Sequence, residues 1–157
     1  MELYFLRHGD AVPDGARPLS ERGRAEVRQV LERLHETGFA ADSILTSPLL
    51  RARQTADIAA EVLDIEPQTE GKLDAGATLA DLARLLAELG ADGDDADPAV
   101  KVLLVGHEPD FSTMIEQLIG GGDIDMKKAA VARVDCNNIA PGGGVLRWLV
   151  TPKLLGA

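Results

Sequence analysis

Residues 101–106, KVLLVG, form an unbroken apolar run that is too short for a helix and too apolar for a surface loop. Such a run suits a strand buried on both faces, as in a parallel sheet covered by helices. ELYFL at 2–6 is a second run of this kind, and SILTS at 43–47 is a shorter one. Segments of helical period stand between them. The first runs from Ser20, a good N-cap, to Thr37, with Val27, Val30, Leu31 and Leu34 on one face and Gly38 as its stop. The second opens at Pro48 and presents Ala52, Ala56, Ala59 and Ala60, small residues that let a helix lie close on a sheet. Thr78 and Asp81 form a capping-box pattern ahead of the stripe Leu79, Leu82, Leu86 and Leu89. Pro109 begins a helix carrying Phe111, Met114, Ile115 and Leu118, and glycines 120–122 end it. The segments 129–136 and 144–150 alternate in polarity and are expected to pair around NNIAPGGG. This alternation predicts one α/β domain over residues 1–157, a three-layer α/β/α sandwich with a mostly parallel central sheet.

The charge balance narrows the function. The chain carries 16 Lys and Arg against 26 Asp and Glu, a net charge of −10. Nucleic acid and anionic lipid are bound through clustered cations, so neither is an expected partner. No apolar run reaches the roughly 20 residues that cross a bilayer, and no basic region precedes an apolar stretch at the start. Cys136 is the only cysteine, which suits a reducing compartment, and a cytoplasmic location is expected. The acidic stretch 90–99 reads as a solvated loop. Any basic site must be local, and the position of each arginine becomes informative.

Open α/β sheets bind ligands at the carboxyl ends of their strands. Three strands here end on polar residues: Arg7-His8-Gly9, Ser47-Pro48 and Gly106-His107-Glu108. If the strands are parallel, these endings share one edge, and two of the three histidines meet there. Two of the endings lead into helices, whose N-termini favour an anion such as phosphate. Arg51 falls in the first turn of one of them. Periodicity does not choose between Arg51 and Arg53, which point about 200° apart. His35, mid-helix beside the apolar stripe, reads as structural. The remaining arginines of RPLSERGRAEVR read as solvated charges, and the glycine runs lack the phosphate-loop pattern and read as turns.

LRHG at 6–9, SPLLRARQTA at 47–56 and VGHEP at 105–109 resemble the three signatures of the histidine phosphatase superfamily, the phosphoglycerate mutase-like fold. RHGDA, RPLSERG at 17–23 and the short length are most similar to its SixA-type phosphohistidine phosphatase branch. The resemblance runs from residue 3 to about 115. It implies that His8 is a nucleophile that becomes phosphorylated and that Arg7, Arg51 and His107 surround the phosphoryl group. The family pattern S-P-x-x-R-x-x-Q-T selects Arg51 over Arg53. Arg17 is implied as a substrate contact at the rim, and Gly9 as a residue that keeps the phosphate's space free of a Cβ. It further implies catalysis without metal or other cofactor, on a phosphorylated protein or a small phosphorylated molecule.

The physical chemistry agrees. Guanidinium forks match the equatorial oxygens of a transferring phosphoryl group, and neutral imidazole attacks phosphorus in line. A proton donor for the leaving group has three candidates, Glu70, Asp74 and Glu108, and the role of Asp10 is open. Protonated imidazole leaves readily, so phosphohistidine needs such an acid less than a phosphomonoester does. Three readings compete with a protein phosphohistidine phosphatase. They are a small-molecule phosphomonoesterase of the same superfamily, a non-catalytic phospho-ligand binding module, and a metal hydrolase using His8, His107, Asp10 and Glu108. Two nearby arginines oppose the last, because they would repel the cation.

Overall fold

A computed structural model describes residues 1–91 and 97–157, so the centre of the acidic loop expected at 90–99 lies outside the described residues. In chain order the elements are β1 (Glu2–Arg7), α1 (Glu21–Glu36), β2 (Ser43–Thr46), α2 (Leu50–Leu63) and β3 (Pro67–Thr69). A short 3-10 turn (Gly71–Leu73) leads to α3 (Leu79–Glu88), β4 (Lys101–Gly106), α4 (Asp110–Leu118), β5 (Val131–Cys136) and β6 (Gly144–Val150). The strands join in one sheet in the order β3-β2-β4-β1-β5-β6. β4 pairs in parallel with β1 and β2, and β2 pairs in parallel with β3. β5 runs antiparallel to β1, and β6 antiparallel to β5.

Successive residues of the central strands face opposite layers, as the pleat requires. Leu3, Phe5, Val102 and Leu104 pack with the leucines of α3 and with Phe111, Met114 and Ile115 of α4. Tyr4, Leu6, Leu103 and Val105 pack with Val27, Val30 and Leu31 of α1 and Ala52, Ala56 and Ala59 of α2. The sheet is therefore covered on both faces, which is why β1 and β4 read as continuous apolar runs. The result is a three-layer α/β/α sandwich with a mostly parallel sheet.

The helix ends follow local chemistry. Ser20 caps α1 by accepting from the Gly23 N–H, and Thr78 and Asp81 form both halves of the capping box of α3. α2 starts at Leu50, two residues later than the proline rule predicts, because Pro48 sits in the turn that leaves β2. The short edge strand β3 and the 3-10 turn carry too little apolar pattern to be read from sequence.

One glycine fixes how the loop after β1 meets α1. A Cβ on Gly23 would stand 2.1 Å from the Asp10 carbonyl oxygen and 2.9 Å from the Asp10 nitrogen, both backbone atoms. We predict that Gly23→Ala destabilises the fold by about 3 kcal/mol, measured by urea denaturation. Gly71→Ala, where a Cβ meets nothing within 4 Å, is the comparison and should stay within about 0.5 kcal/mol of the parent.

Candidate active site

The carboxyl ends of β1, β2 and β4 meet at one edge of the sheet. β1 and β4 pair with Arg7 opposite Gly106, so the next residues, His8 and His107, are neighbours. Their rings lie 5.3 Å apart, centroid to centroid, and both side chains are buried. The His8 N–H donates to the Gly106 carbonyl at 3.0 Å, and the Ser47 N–H donates to the Val105 carbonyl at 3.0 Å, locking the three strand endings together.

The orientation of His8 is set by two contacts. Its Nδ1 lies 2.8 Å from the Gly9 carbonyl oxygen, which requires Nδ1 to carry the proton. Its Nε2 accepts from Arg51 Nε at 3.3 Å, so the lone pair sits on Nε2 in the pocket. Burial opposes charging the ring, the Gly9 contact works the other way, and His107, Arg51 and Arg7 disfavour the protonated form electrostatically. The net effect lowers the His8 pKa to about 4. The His107 pKa is also lowered, first by burial and then by Arg51, with Asp110 and Asp74 opposing. Both imidazoles are thus neutral around pH 7.

Each neighbour is positioned in turn. Thr55, fully buried one turn along α2 from Arg51, donates to the Arg51 carbonyl at 2.8 Å and accepts from the Gly9 N–H at 3.1 Å. It joins the helix carrying Arg51 to the residue beside His8. Gln54 Oε1 accepts from the Leu19 N–H at 2.7 Å and pins the returning loop that holds Arg17. Arg17 is exposed in left-handed backbone at φ 52°, close enough for its charge to lower the Arg51 pKa after burial has done so. Arg7 donates from a terminal nitrogen to the Met126 carbonyl at 2.8 Å. His107 Nε2 lies 2.7 Å from Ser47 Oγ, which also accepts from the Leu49 N–H at 3.2 Å. Among the described residues, two buried side-chain nitrogens have no partner, Arg7 Nε and His107 Nδ1. Both lie in this cluster.

Arg7, His8, Arg51 and His107 are thereby brought together, with Arg17 at the rim. Arg53 is exposed on α2. Ser47, Thr55 and the Met126 carbonyl were not singled out as site groups from sequence. Thr55 stands inside the RQT triplet, where its signal was present, whereas a backbone carbonyl leaves none.

Gly9 is also constrained by packing. A Cβ there would meet Val27 Cγ2 at 2.7 Å and the Gly23 carbonyl at 3.1 Å, so glycine is required by the approach of α1. Asp10 acquires a structural role. It accepts from Lys128 Nζ and from Ser20 Oγ, each at 2.8 Å, and its carbonyl accepts from the Ser20 N–H at 2.9 Å. Lys128 and Ser20 together hold its carboxyl below the usual carboxylate range. Glu108 accepts from the Ser112 N–H at 2.9 Å and from the Ser112 hydroxyl, an interaction within the first turn of α4. Of the three candidate proton donors, Asp74 is the one whose charge is felt at both Arg51 and His107. With Asp10 and Glu108 so engaged, the donor set of a metal hydrolase is not assembled, and no group of three or more His, Cys, Asp or Glu side chains suited to a metal occurs among the described residues.

Comparison with known proteins points the same way as the geometry. Residues 3–78 match the Histidine phosphatase superfamily (branch 1). The phosphohistidine phosphatase SixA of Escherichia coli (strain K12) is 28% identical over 157 residues, covering 97% of this chain and 94% of its own. An uncharacterized protein of Picosynechococcus sp. is 41% identical over 142 residues, covering 83% of this chain and 82% of its own. A structure of the protein histidine phosphatase SixA complexed with tungstate superposes with a TM-score of 0.85 at 26% identity, covering 99% of each chain.

The depressed His8 pKa has a consequence for stability. Below the ordinary imidazole value of 6.5 the unfolded chain takes up a proton there, and the folded chain does not until about pH 4. Stability contributed by keeping the ring neutral is therefore complete above pH 6.5 and is lost as pH falls toward 4. We predict that His8→Asn flattens the pH dependence of unfolding free energy in this window. Ring carbon shifts followed by NMR should place the His8 transition near pH 4.

Proposed function

We propose that this chain, which belongs to the histidine phosphatase superfamily, hydrolyses phosphohistidine on proteins through a phosphoryl group carried by His8 Nε2. The observation that carries the reading is the neutral, oriented imidazole with its lone pair on Nε2, set between Arg7, Arg51 and His107. The near full-length similarity to SixA supports phosphohistidine as the substrate class.

In the first step Nε2 of His8 attacks phosphorus as the substrate's P–N bond breaks. The phosphoryl group passes to His8, and the substrate imidazole, which enters protonated on its other ring nitrogen, leaves as neutral imidazole. In the second step water attacks the phosphorus, the His8–phosphorus bond breaks, and inorganic phosphate leaves. Arg51 turns its Nε–H from His8 to a phosphoryl oxygen, while Arg7 Nε and His107 Nδ1 offer capacity that no group among the described residues uses. If the Ser47 hydroxyl donates to His107 Nε2, the proton of His107 lies on Nδ1 and is available to an oxygen. Positioned cations of this sort stabilise the charge spread over the transferring group. The guanidinium and imidazole groups supply the electrophilic role, so the reaction proceeds without a metal.

A small-molecule phosphomonoesterase is the second reading, and Asp74 is the feature that favours it, as the candidate proton donor whose charge is felt at both Arg51 and His107. The two readings separate by leaving group. Turnover of a phosphohistidine peptide and of an alkyl phosphate monoester should both fall about 100-fold or more in Arg51→Ala and be undetectable in His8→Asn. Chelator should leave both rates unchanged. Asp74→Asn should spare the phosphohistidine reaction within about threefold. An Asp74→Asn variant that loses both reactions equally, or a wild type that turns over only phosphomonoesters, overturns the phosphohistidine reading.

A further inference from the structure

The edge of the sheet that holds His8 continues into a second feature. β5 enters the sheet at this edge and β6 leaves it there, because β6 runs parallel to β1. The residues preceding β5 and following β6 close a cleft of about 490 Å³ against the start of α1. Its cations are Arg7, Arg22, Lys127, Lys128 and Lys153, and its carboxylates are Asp10 and Glu26. Five positive groups line it against two carboxylates, on a chain whose net charge is −10. Arg7 lines this cleft and also stands in the cluster around His8, so the two share a wall.

The cations are not used up internally. Lys128 pairs with Asp10 at 2.8 Å and Lys127 with Asp125 at 2.9 Å. Among the described residues, Arg22 and Lys153 lie within ion-pair distance of no carboxylate, and both are exposed. Thr151 and Pro152 add a less polar wall. Such a surface recognises negative charge of short extent. A duplex or a membrane would bring a broad anionic face against the rest of an acidic molecule, and repulsion would oppose it. A short run of Asp and Glu meets the cleft alone.

We infer that this cleft docks an acidic segment of the protein whose phosphohistidine enters the site, giving the enzyme a partner preference that the phosphoryl pocket itself does not supply. The inference rests on the phosphohistidine reading for its substrate and on charge complementarity for its partner. Rim charges of this kind act mainly on encounter and specificity, and their effect weakens with salt.

The test uses the whole chain and two short peptides with a central histidine, one flanked by Glu and Asp, its twin by Gln and Asn. Binding of the unphosphorylated peptides is read by fluorescence anisotropy at low salt. The acidic peptide should bind and its twin should not, and Arg22→Glu with Lys153→Glu should weaken binding roughly tenfold. The control pair Arg33→Glu with Arg84→Glu changes net charge equally, away from the cleft, and should keep wild-type affinity. With histidine-phosphorylated peptides, the cleft variant should raise KM for the acidic peptide and leave kcat and phosphoramidate turnover unchanged. Equal binding of both peptides, equal loss in the control pair, or stronger competition by anionic vesicles or an oligonucleotide overturns the inference. Acid-selective binding without turnover of any phosphohistidine overturns the phosphatase reading and leaves the docking cleft standing.

Discussion

The parallel pairing of β1 with β4, with Arg7 opposite Gly106, is the constraint on which the site depends. It places His8 beside His107 although the two are remote in sequence, and it does so through backbone hydrogen bonds that any side chains would accept. The pairing is held by burial. Leu3, Phe5, Val102 and Leu104 face one helical layer, Tyr4, Leu6, Leu103 and Val105 the other, and a slip by one residue would exchange the two sets. The core thus sets the register, and the register sets the distance between the two rings.

Burial then does chemical work. A histidine in water is partly protonated near neutral pH and is then no nucleophile. Here desolvation and neighbouring positive charge lower the His8 pKa, and the Gly9 carbonyl keeps the proton on Nδ1. The same arginines that discourage protonation of the ring are the groups suited to a phosphoryl dianion. Thr55 links the two demands, because one hydroxyl holds both the peptide of Gly9 and the helical turn of Arg51. A shift of α2 would therefore move the arginine and the imidazole's support together.

Sequence made the buried elements legible and left the contextual ones obscure. β1 and β4 announced themselves because a strand covered on both faces has no choice but to be apolar. The caps at Ser20 and Thr78 were visible because they satisfy local backbone donors. β3, only three residues at an edge, is defined by pairing with β2 and leaves almost no compositional trace. The packing constraint on Gly9 is invisible in the string, since nothing there shows that Val27 lies against it. The role of Asp10 needed Lys128, far along the chain, and the cationic cleft needed the antiparallel return of β5 and β6.

We propose Nε2 of His8 as the reacting atom. Rapid mixing with a phosphohistidine donor, alkaline quench and NMR of nitrogen-15-labelled protein would locate the phosphoryl group through its coupling to a ring nitrogen. A single phosphorylated side chain is expected, His8 substituted at Nε2, because Nδ1 is committed to the Gly9 carbonyl. Phosphate on Nδ1, on His107, or on no residue of the chain during turnover would contradict it.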